Sequence, residues 1–178
     1  MRMIQLTGLS GAGKSTLATL AATWLNEAGM ETLVIDGDVF RKTICKDLGF
    51  SKADREENIR RLAAYAATEM EQGKCVIIAA INPFQAIRKE LQTVYGALTV
   101  YIKCALPVLV DRDTKGLYRR AMLPDGHPDK LSNLTGVNDP YEAPEDAELV
   151  IATDESDIES AAAQLQQFIL KYCFAGQS

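Results

Sequence analysis

The stretch GLSGAGKST occupies residues 8–16 and directly follows the short apolar run MIQL at residues 3–6. Its spacing, G-x-x-x-x-G-K-S, is that of a phosphate-binding loop (P-loop), and the apolar residues after it recur at helical spacing. A strand, this loop and a helix in succession form the context that phosphate binding requires. We therefore predict a nucleoside triphosphate site; a glycine-rich turn that binds nothing is the weaker alternative.

Each part of the motif has a chemical reason. Glycines let backbone N–H groups turn toward phosphate oxygens, and the helix N-terminus adds a favourable dipole. Lys14 is expected to reach the β- and γ-phosphates of ATP, and the Ser15 hydroxyl is expected to coordinate Mg²⁺. The predicted ATP-binding residues of the loop are Gly8, Ser10, Gly11, Ala12, Gly13, Lys14, Ser15 and Thr16.

The rest of the chain alternates apolar strand-like runs with longer helical patterns. Strands are predicted at residues 2–8, 31–38, 74–80, 97–104 and 148–153. Helices are predicted at residues 14–28, 51–73, 83–95, 105–113 and 157–172. This alternation indicates an α/β fold, here a P-loop NTPase three-layer sandwich with a five-stranded parallel sheet. We expect a single domain over residues 1–178.

One segment, from about residue 116 to residue 144, breaks this alternation and is rich in Pro, Gly, Asn and Asp. A long irregular stretch in a compact domain is usually a functional lid or a disordered segment. Its aromatic, Lys and Arg side chains favour a mobile lid over a linker.

Composition limits the possible partners and compartments. A formal net charge of −5 argues against a nucleic-acid partner. No apolar run reaches the length of a membrane span, and the chain enters a strand at once, so we expect neither a membrane anchor nor a signal peptide. The four cysteines are far apart, as is typical of reduced thiols in a cytoplasmic protein. The single histidine, His127, is interpreted as a surface residue.

Acidic residues follow the second strand, not the third. Asp36 and Asp38 lie in IDGD, whereas the third strand ends in AAINP without an acid, and no N-K-x-D guanine motif is present. The carboxyl edge of an open α/β sheet is where ligands bind, and small-molecule kinases place an acceptor-orienting acid there. The structural alternative is that Asp38 caps the next helix, and one carboxylate could serve both purposes.

With IDGDVFR, DLGF, DREENIRR, DTKGLY and TGVNDPYEAP in view, the chain resembles the adenylylsulfate kinase (APS kinase) family over nearly its whole length. The resemblance implies transfer of the γ-phosphate of ATP to the 3′-hydroxyl of adenosine 5′-phosphosulfate (APS), with Mg²⁺. The product would be the activated sulfate donor PAPS. The resemblance also implies a homodimer and a role in sulfate assimilation. Since 178 residues leave no room for a sulfurylase domain, we expect a kinase alone.

The resemblance also assigns roles to individual residues. An anionic acceptor suits forked cations, and its adenine suits an aromatic face, which Phe50 would supply. Asp38 would orient the 3′-hydroxyl, Asp36 would support the metal or the loop, and Lys115 would lie near the transferring phosphoryl group. Arg112 would cover the adenine of ATP. The implied acceptor-binding residues are Asp38, Arg41, Phe50, Arg55, Asn58, Ile81, Asn82, Lys115 and Leu134, with Arg60 and Arg61 as further candidate cations.

Purely structural interpretations of these residues also remain open. DREENIRR could be a solvated helix face with i,i+4 charge pairs, and Phe50 could be a core aromatic.

The family usually has Asn at position 39, Ser at 82 and Phe at 134, where this chain has Val39, Asn82 and Leu134. Asn82 argues against a phosphoenzyme route, and Leu134 lacks an aromatic face. The lid is also several residues longer.

These departures fall on the acceptor side, so other acceptors remain alternatives. One is a related kinase acting on another small phosphorylated or sugar-like alcohol, and a second is a gluconate- or shikimate-type kinase. A third alternative is a nucleotide-binding regulator without turnover, against which the intact Lys14, Ser15 and Asp38 argue.

Overall fold

A five-stranded parallel sheet forms the centre of the fold in the order β2-β3-β1-β4-β5. The structure, a computed structural model, describes residues 2–174. Residue 1 and residues 175–178 of the predicted domain lie outside the described part. The strands are β1 (Met3–Thr7), β2 (Thr32–Asp36), β3 (Cys75–Ala79), β4 (Leu98–Lys103) and β5 (Leu149–Ala152). The prediction of a five-stranded parallel sheet is confirmed.

Helices cover both faces of this sheet, so the predicted three-layer sandwich is also confirmed. One core cluster contains Ile4, Leu6 and Leu17, and the opposite cluster contains Met3 and Ile59. Since Met3, Ile4 and Leu6 share one strand, alternate side chains of β1 serve the two cores. The helices are α1 (Lys14–Glu27), α2 (Gly37–Phe40), α3 (Lys52–Glu71), α4 (Gln85–Tyr95), α5 (Leu106–Arg112), α6 (Leu117–Ala121) and α7 (Ile158–Cys173).

Burial on both faces of the sheet explains why the sequences of β1 and β3 are mainly apolar. Every residue of β1 and β3 is buried, because helices cover them on both faces. Gln5 is one of two buried polar residues in β1, and its side-chain amide donates to the Arg88 carbonyl and the Thr99 hydroxyl, both at 3.0 Å.

Two short helices were missed by the sequence prediction. α2 has four residues and is held by Asp36, whose side chain accepts hydrogen bonds from the N–H groups of Asp38 and Val39. α6 lies within the segment predicted to be irregular. Both helices are too short for a periodic pattern, so hydrophobic spacing could not reveal them. By contrast, the longer helix α3 was predicted, and Ser51 caps it by forming a capping box with Asp54.

Among residues 2–174, no helix has both the length and the apolar character needed to cross a bilayer.

Candidate active site

The P-loop connects β1 to α1 and is shaped by left-handed glycines. Gly8 has φ +150, and a Cβ there would collide with the carbonyl of Ile102 on β4, so only glycine fits against the neighbouring strand. Two carbonyls of the loop accept hydrogen bonds from side chains of distant segments: Ser10 from the Tyr118 hydroxyl at 2.7 Å and Ala12 from the Thr153 hydroxyl at 2.9 Å. The first-turn N–H groups of α1 have no partner within the helix, which suits them to phosphate.

Lys14 lies folded into the loop, with only 9% of its surface exposed. Its Nζ donates to the carbonyls of Gly8 and Leu9, both at 2.8 Å. Burial lowers the pKa of Lys14 to about 8, and the negative charge of nearby Asp38 opposes that shift. A γ-phosphate would offer this ammonium the anionic partner that the two neutral carbonyls do not.

The lowered pKa predicts a pH dependence of ATP binding. Phosphate charges favour the protonated lysine, so ATP should raise the pKa of Lys14 and take up a proton on binding. Affinity is therefore full below about pH 8 and falls as the pH rises further, by up to about tenfold per unit. Calorimetric titrations from pH 7 to 10, in buffers of different ionisation enthalpy, would measure both effects. In a Lys14→Arg variant that still binds ATP, this decline should disappear; an unchanged decline would mean another group titrates.

Ser15 and Asp36 form the predicted metal-binding pair. The Ser15 hydroxyl donates directly to the Asp36 carboxylate, which brings a hydroxyl and a carboxylate oxygen together beside the loop. Mg²⁺ prefers hard oxygen ligands and usually takes few from the protein, so this donor set fits that ion. Asp36 also caps α2, so the interpretation of Asp38 as the helix cap is wrong.

Asp38 does not cap α2, and from its position on that helix it faces the P-loop. Its carboxylate forms an ion pair with Lys115, which lies just before α6. Both side chains are at least half exposed, so water and ligands can reach them. A cavity of about 210 Å³ contains the loop residues Ser10, Gly11, Gly13, Lys14, Ser15 and Thr16 together with Asp38, Ala79, Ala80, Ile81, Thr114 and Lys115.

A second, larger cavity of about 820 Å³ adjoins the other side of the loop. Arg112 lines it, and its guanidinium donates to the Thr153 carbonyl at 3.0 Å. This volume suits the base and ribose of a nucleotide whose phosphates lie on the loop. The cavity is lined by Gly11, Ala12, Gly13, Thr16, Leu17, Arg112, Thr153, Ser156, Asp157, Ile158, Glu159 and Ala161.

Phe50 lies beside two arginines of the predicted acceptor site. The Arg41 guanidinium carbon is 4.7 Å from the ring centroid and that of Arg55 is 5.5 Å away. The ring is 53% exposed, so the alternative that Phe50 is a core residue is wrong. Burial and, next, the positive charge of Arg55 lower the pKa of Arg41, because two cations share this site.

A small third cavity, of about 50 Å³, extends from these arginines to the end of β3. Two buried amide oxygens there, Asn58 Oδ1 and Asn82 Oδ1, have no hydrogen-bond partner within the described chain. Such atoms are costly unless a ligand or water supplies a donor. The cavity is lined by Gly37, Asp38, Arg41, Arg55, Asn58, Ile59, Ala80, Ile81, Asn82 and Pro83.

Not all the candidate residues are brought together. Leu134 is 5% exposed, packs in the main core and is not among the residues lining the three cavities. Arg60 pairs with Glu90, and Arg61 pairs with Asp47 and Glu57. For these two arginines the solvated, salt-bridged helix face is the correct interpretation of DREENIRR.

Arg88 is a polar residue of this region that sequence reasoning missed. It is 1% exposed, and its guanidinium donates to the carbonyls of Asn82 and Glu142 at 2.8 and 2.6 Å. It therefore ties the turn after β3 to the last residues of the predicted lid segment. The only signal in the sequence was Gln5, a polar residue inside a buried strand that requires polar partners.

The comparisons with known proteins agree with this geometry. A family model described as adenylylsulphate kinase matches residues 2–152. The probable adenylyl-sulfate kinase of Bacillus subtilis (strain 168) is 43% identical over 170 residues, covering 94% of this chain and 84% of that protein. The probable bifunctional SAT/APS kinase 2 of Sorangium cellulosum (strain So ce56) is 42% identical over 164 residues. That match covers 92% of this chain but 27% of the Sorangium protein, so the chain spans about a quarter of its length.

A solved structure gives the same result. The APS kinase of Mycobacterium tuberculosis in complex with AMPPNP and APS superposes with a TM-score of 0.86 at 33% identity, covering 94% of this chain and 96% of that one. The family model spans most of the sequence, and relatives above 40% identity cover nearly all of it. The chain belongs to the adenylylsulphate kinase family.

Proposed function

We propose that the protein transfers the γ-phosphate of ATP to the 3′-hydroxyl of APS, yielding PAPS and ADP. One observation carries this proposal: the phosphate cavity of the P-loop and the arginine-flanked cavity share Asp38, Ala80 and Ile81 as lining residues. A γ-phosphate on one side and an acceptor hydroxyl on the other would meet at Asp38. Sulfate activation in the cytoplasm is the physiological role that follows.

ATP would bind along the P-loop, with its base in the large cavity beside Arg112. Ser15 and Asp36 would hold Mg²⁺, whose positive charge would neutralise part of the charge on the phosphates. Lys14 would leave the carbonyls of Gly8 and Leu9 to bind the β- and γ-phosphates, and Lys115 would contribute a second cation.

The acceptor would bind in the cleft between α2, α3 and the end of β3, whose cavity of about 50 Å³ would have to widen as the segment held by Arg55 moves. Its adenine would stack on Phe50, its phosphosulfate would pair with Arg41 and Arg55, and Ile81 would contact it from the sheet. The unpartnered amide oxygens of Asn58 and Asn82 would accept hydrogen bonds from donor groups of the acceptor. Leu134 would contribute to this pocket indirectly, because its packing in the core would position the segment around it.

In the chemical step the 3′-oxygen of APS would attack the γ-phosphorus, and the bond from that phosphorus to the β-γ bridging oxygen would break. Asp38 would orient the hydroxyl and accept its proton, and ADP would leave with the bridging oxygen. Direct in-line transfer needs no phosphorylated side chain, in keeping with Asn82 where the family usually has serine.

We propose that the segment from about residue 116 to 144 closes over the acceptor as a lid. Arg55 already reaches it, because its guanidinium donates to the Asn133 carbonyl at 2.7 Å and pairs with Asp139 at 2.6 Å. An anionic acceptor would compete with Asp139 for the same guanidinium, so acceptor binding and lid position would be coupled. Closure would exclude water and limit wasteful hydrolysis of ATP.

The substrate is tested by following acceptor-dependent ADP release with Mg-ATP and APS, adenosine monophosphate or gluconate in parallel. We expect rapid turnover with micromolar APS and little with the other two. ATP binding without APS turnover, together with turnover of a sugar acid, would overturn the assignment and favour the sugar-like acceptor.

Phe50→Leu tests the acceptor pocket. Because half of the ring is exposed, the substitution should leave the fold intact while removing the stacking surface. We expect KM for APS to rise about 3- to 10-fold and KM for ATP to stay unchanged. Tyr65→Leu is the matched control, because Tyr65 is a partly exposed aromatic whose ring lies against Phe40 and not against Arg41 or Arg55. An equal change in both KM values would argue against a role specific to the acceptor.

We further propose a cytoplasmic homodimer. The resemblance supports the dimer, and free cysteines in the described chain support a reducing compartment. Light scattering on the purified protein would give the mass of the assembly, and a concentration-independent monomer would contradict the dimer.

A further inference from the structure

Two cysteines far apart in sequence lie in direct contact. Cys75 begins β3 and Cys173 ends α7, 98 positions later in the chain. The Cys75 thiol donates a hydrogen bond to the Cys173 sulfur, with the two sulfurs 2.9 Å apart. A disulfide bond is about 2.0 Å long, so the sulfurs would have to approach by only about 0.9 Å.

The environments of the two thiols differ in a way that suits stepwise oxidation. Cys173 is partly exposed, and the hydrogen bond from Cys75, assisted by the Arg2 backbone N–H, lowers its pKa. Cys75 is buried, and its role as hydrogen-bond donor together with burial raises its pKa. Cys173 can therefore react with an oxidant from solution, and Cys75 lies beside it in position to react second.

We propose that Cys75 and Cys173 form a reversible intramolecular disulfide that fastens the end of α7 to the central sheet. The other two cysteines are in different settings: Cys104 accepts a hydrogen bond from Arg112 at 3.7 Å, and Cys45 is buried beyond α2. The pair is thus a specific modification site, distinct from the kinase centre.

The oxidant that completes the reaction is a low-molecular-weight disulfide such as oxidised glutathione. The Cys173 thiolate attacks one of its sulfurs, forming a mixed disulfide and releasing one glutathione, which takes up a proton. The Cys75 thiol then loses its proton and attacks the Cys173 sulfur, expelling the second glutathione. Two protein thiols are oxidised and one glutathione disulfide is reduced to two thiols, so electrons and protons balance.

The position of the pair predicts a structural effect without loss of catalysis. Cys75 lies at the amino edge of the parallel sheet, whereas the P-loop follows the carboxyl end of β1. The other end of α7 lines the large nucleotide cavity, so the disulfide would fix this helix at its far end. We expect kcat with Mg-ATP and APS to change less than twofold on oxidation.

The test oxidises the purified full-length protein with a glutathione redox series, then maps disulfides by non-reducing peptide mass spectrometry. We expect a Cys75–Cys173 peptide lacking two hydrogens, a fall in titratable thiols from four to two, and a rise in Tm of about 5–15 °C that dithiothreitol reverses. Cys173→Ser should show none of these changes, whereas Cys45→Ser should fall from three titratable thiols to one and show the same rise in Tm.

Several outcomes would overturn the proposal. One is a stable mixed disulfide at Cys173 with Cys75 still reduced, and another is an intermolecular cross-link through Cys173. An unchanged thiol count under conditions that oxidise free glutathione would do so as well. The peptide, thiol and Tm measurements do not depend on kinase activity. A protein that fails to phosphorylate APS would therefore still give a valid test of the disulfide.

Discussion

Replacing Lys14 with alanine is expected to lower kcat for phosphoryl transfer by about a thousandfold or more. The substitution removes the cation that would neutralise charge on the transferring phosphoryl group, where one such contact is worth about 10²–10⁵ in rate. It also leaves the carbonyls of Gly8 and Leu9 without their donor, so a loss of stability of about 1–3 kcal/mol is expected.

Steady-state ADP release with Mg-ATP and APS measures this effect, and a thermal melt separates it from unfolding. Lys89→Ala is the matched control, because Lys89 is an exposed lysine on α4 outside the three cavities. A folded Lys14→Ala enzyme that retains more than a tenth of normal turnover would remove Lys14 from the proposed mechanism.

Replacing Asp38 with alanine is expected to reduce turnover by about 10²–10⁴-fold while ATP binds almost normally. The carboxylate would orient and deprotonate the acceptor hydroxyl, whereas the contacts of ATP lie on the P-loop and beside Arg112. The exposed position of Asp38, and the capping of α2 by Asp36 in its place, mean that the variant should fold normally.

The ion pair with Lys115 requires a further comparison. If Asp38 served only to place Lys115, then Lys115→Ala should cost as much as Asp38→Ala, and the double variant should cost no more than either. We expect Asp38→Ala to be the more damaging single change, with Asp38→Asn nearly as slow. Near-normal turnover of Asp38→Ala would contradict its catalytic role.

The sequence predicted the sheet and the P-loop because both are encoded locally. The apolar runs at residues 74–80 and 97–104 can be read without knowing what covers them. The loop spacing fixes where backbone N–H groups can meet phosphate, so it predicts roles for Lys14 and Ser15 from the sequence alone. Asp36 and Asp38 were likewise assigned to the correct edge of the sheet.

What the sequence could not predict depends on contacts between distant segments. Arg88 looks like a surface residue of an amphipathic helix, but Asn82 and Glu142 provide carbonyls that allow its burial. Leu134 occupies the position of a family aromatic, yet it packs into the main core. Which of Asp36 and Asp38 caps a helix depends on α2, whose four residues give no periodic signal.

The identity of the reaction product tests the central claim most directly. The protein would be incubated with Mg-ATP labelled in the γ-phosphate and with APS, and the labelled products would be separated and their phosphate positions assigned by ³¹P NMR. We expect one PAPS for each ADP, with the label on the 3′-oxygen and none on the protein. ADP formed without labelled PAPS, or label carried on another acceptor, would contradict it.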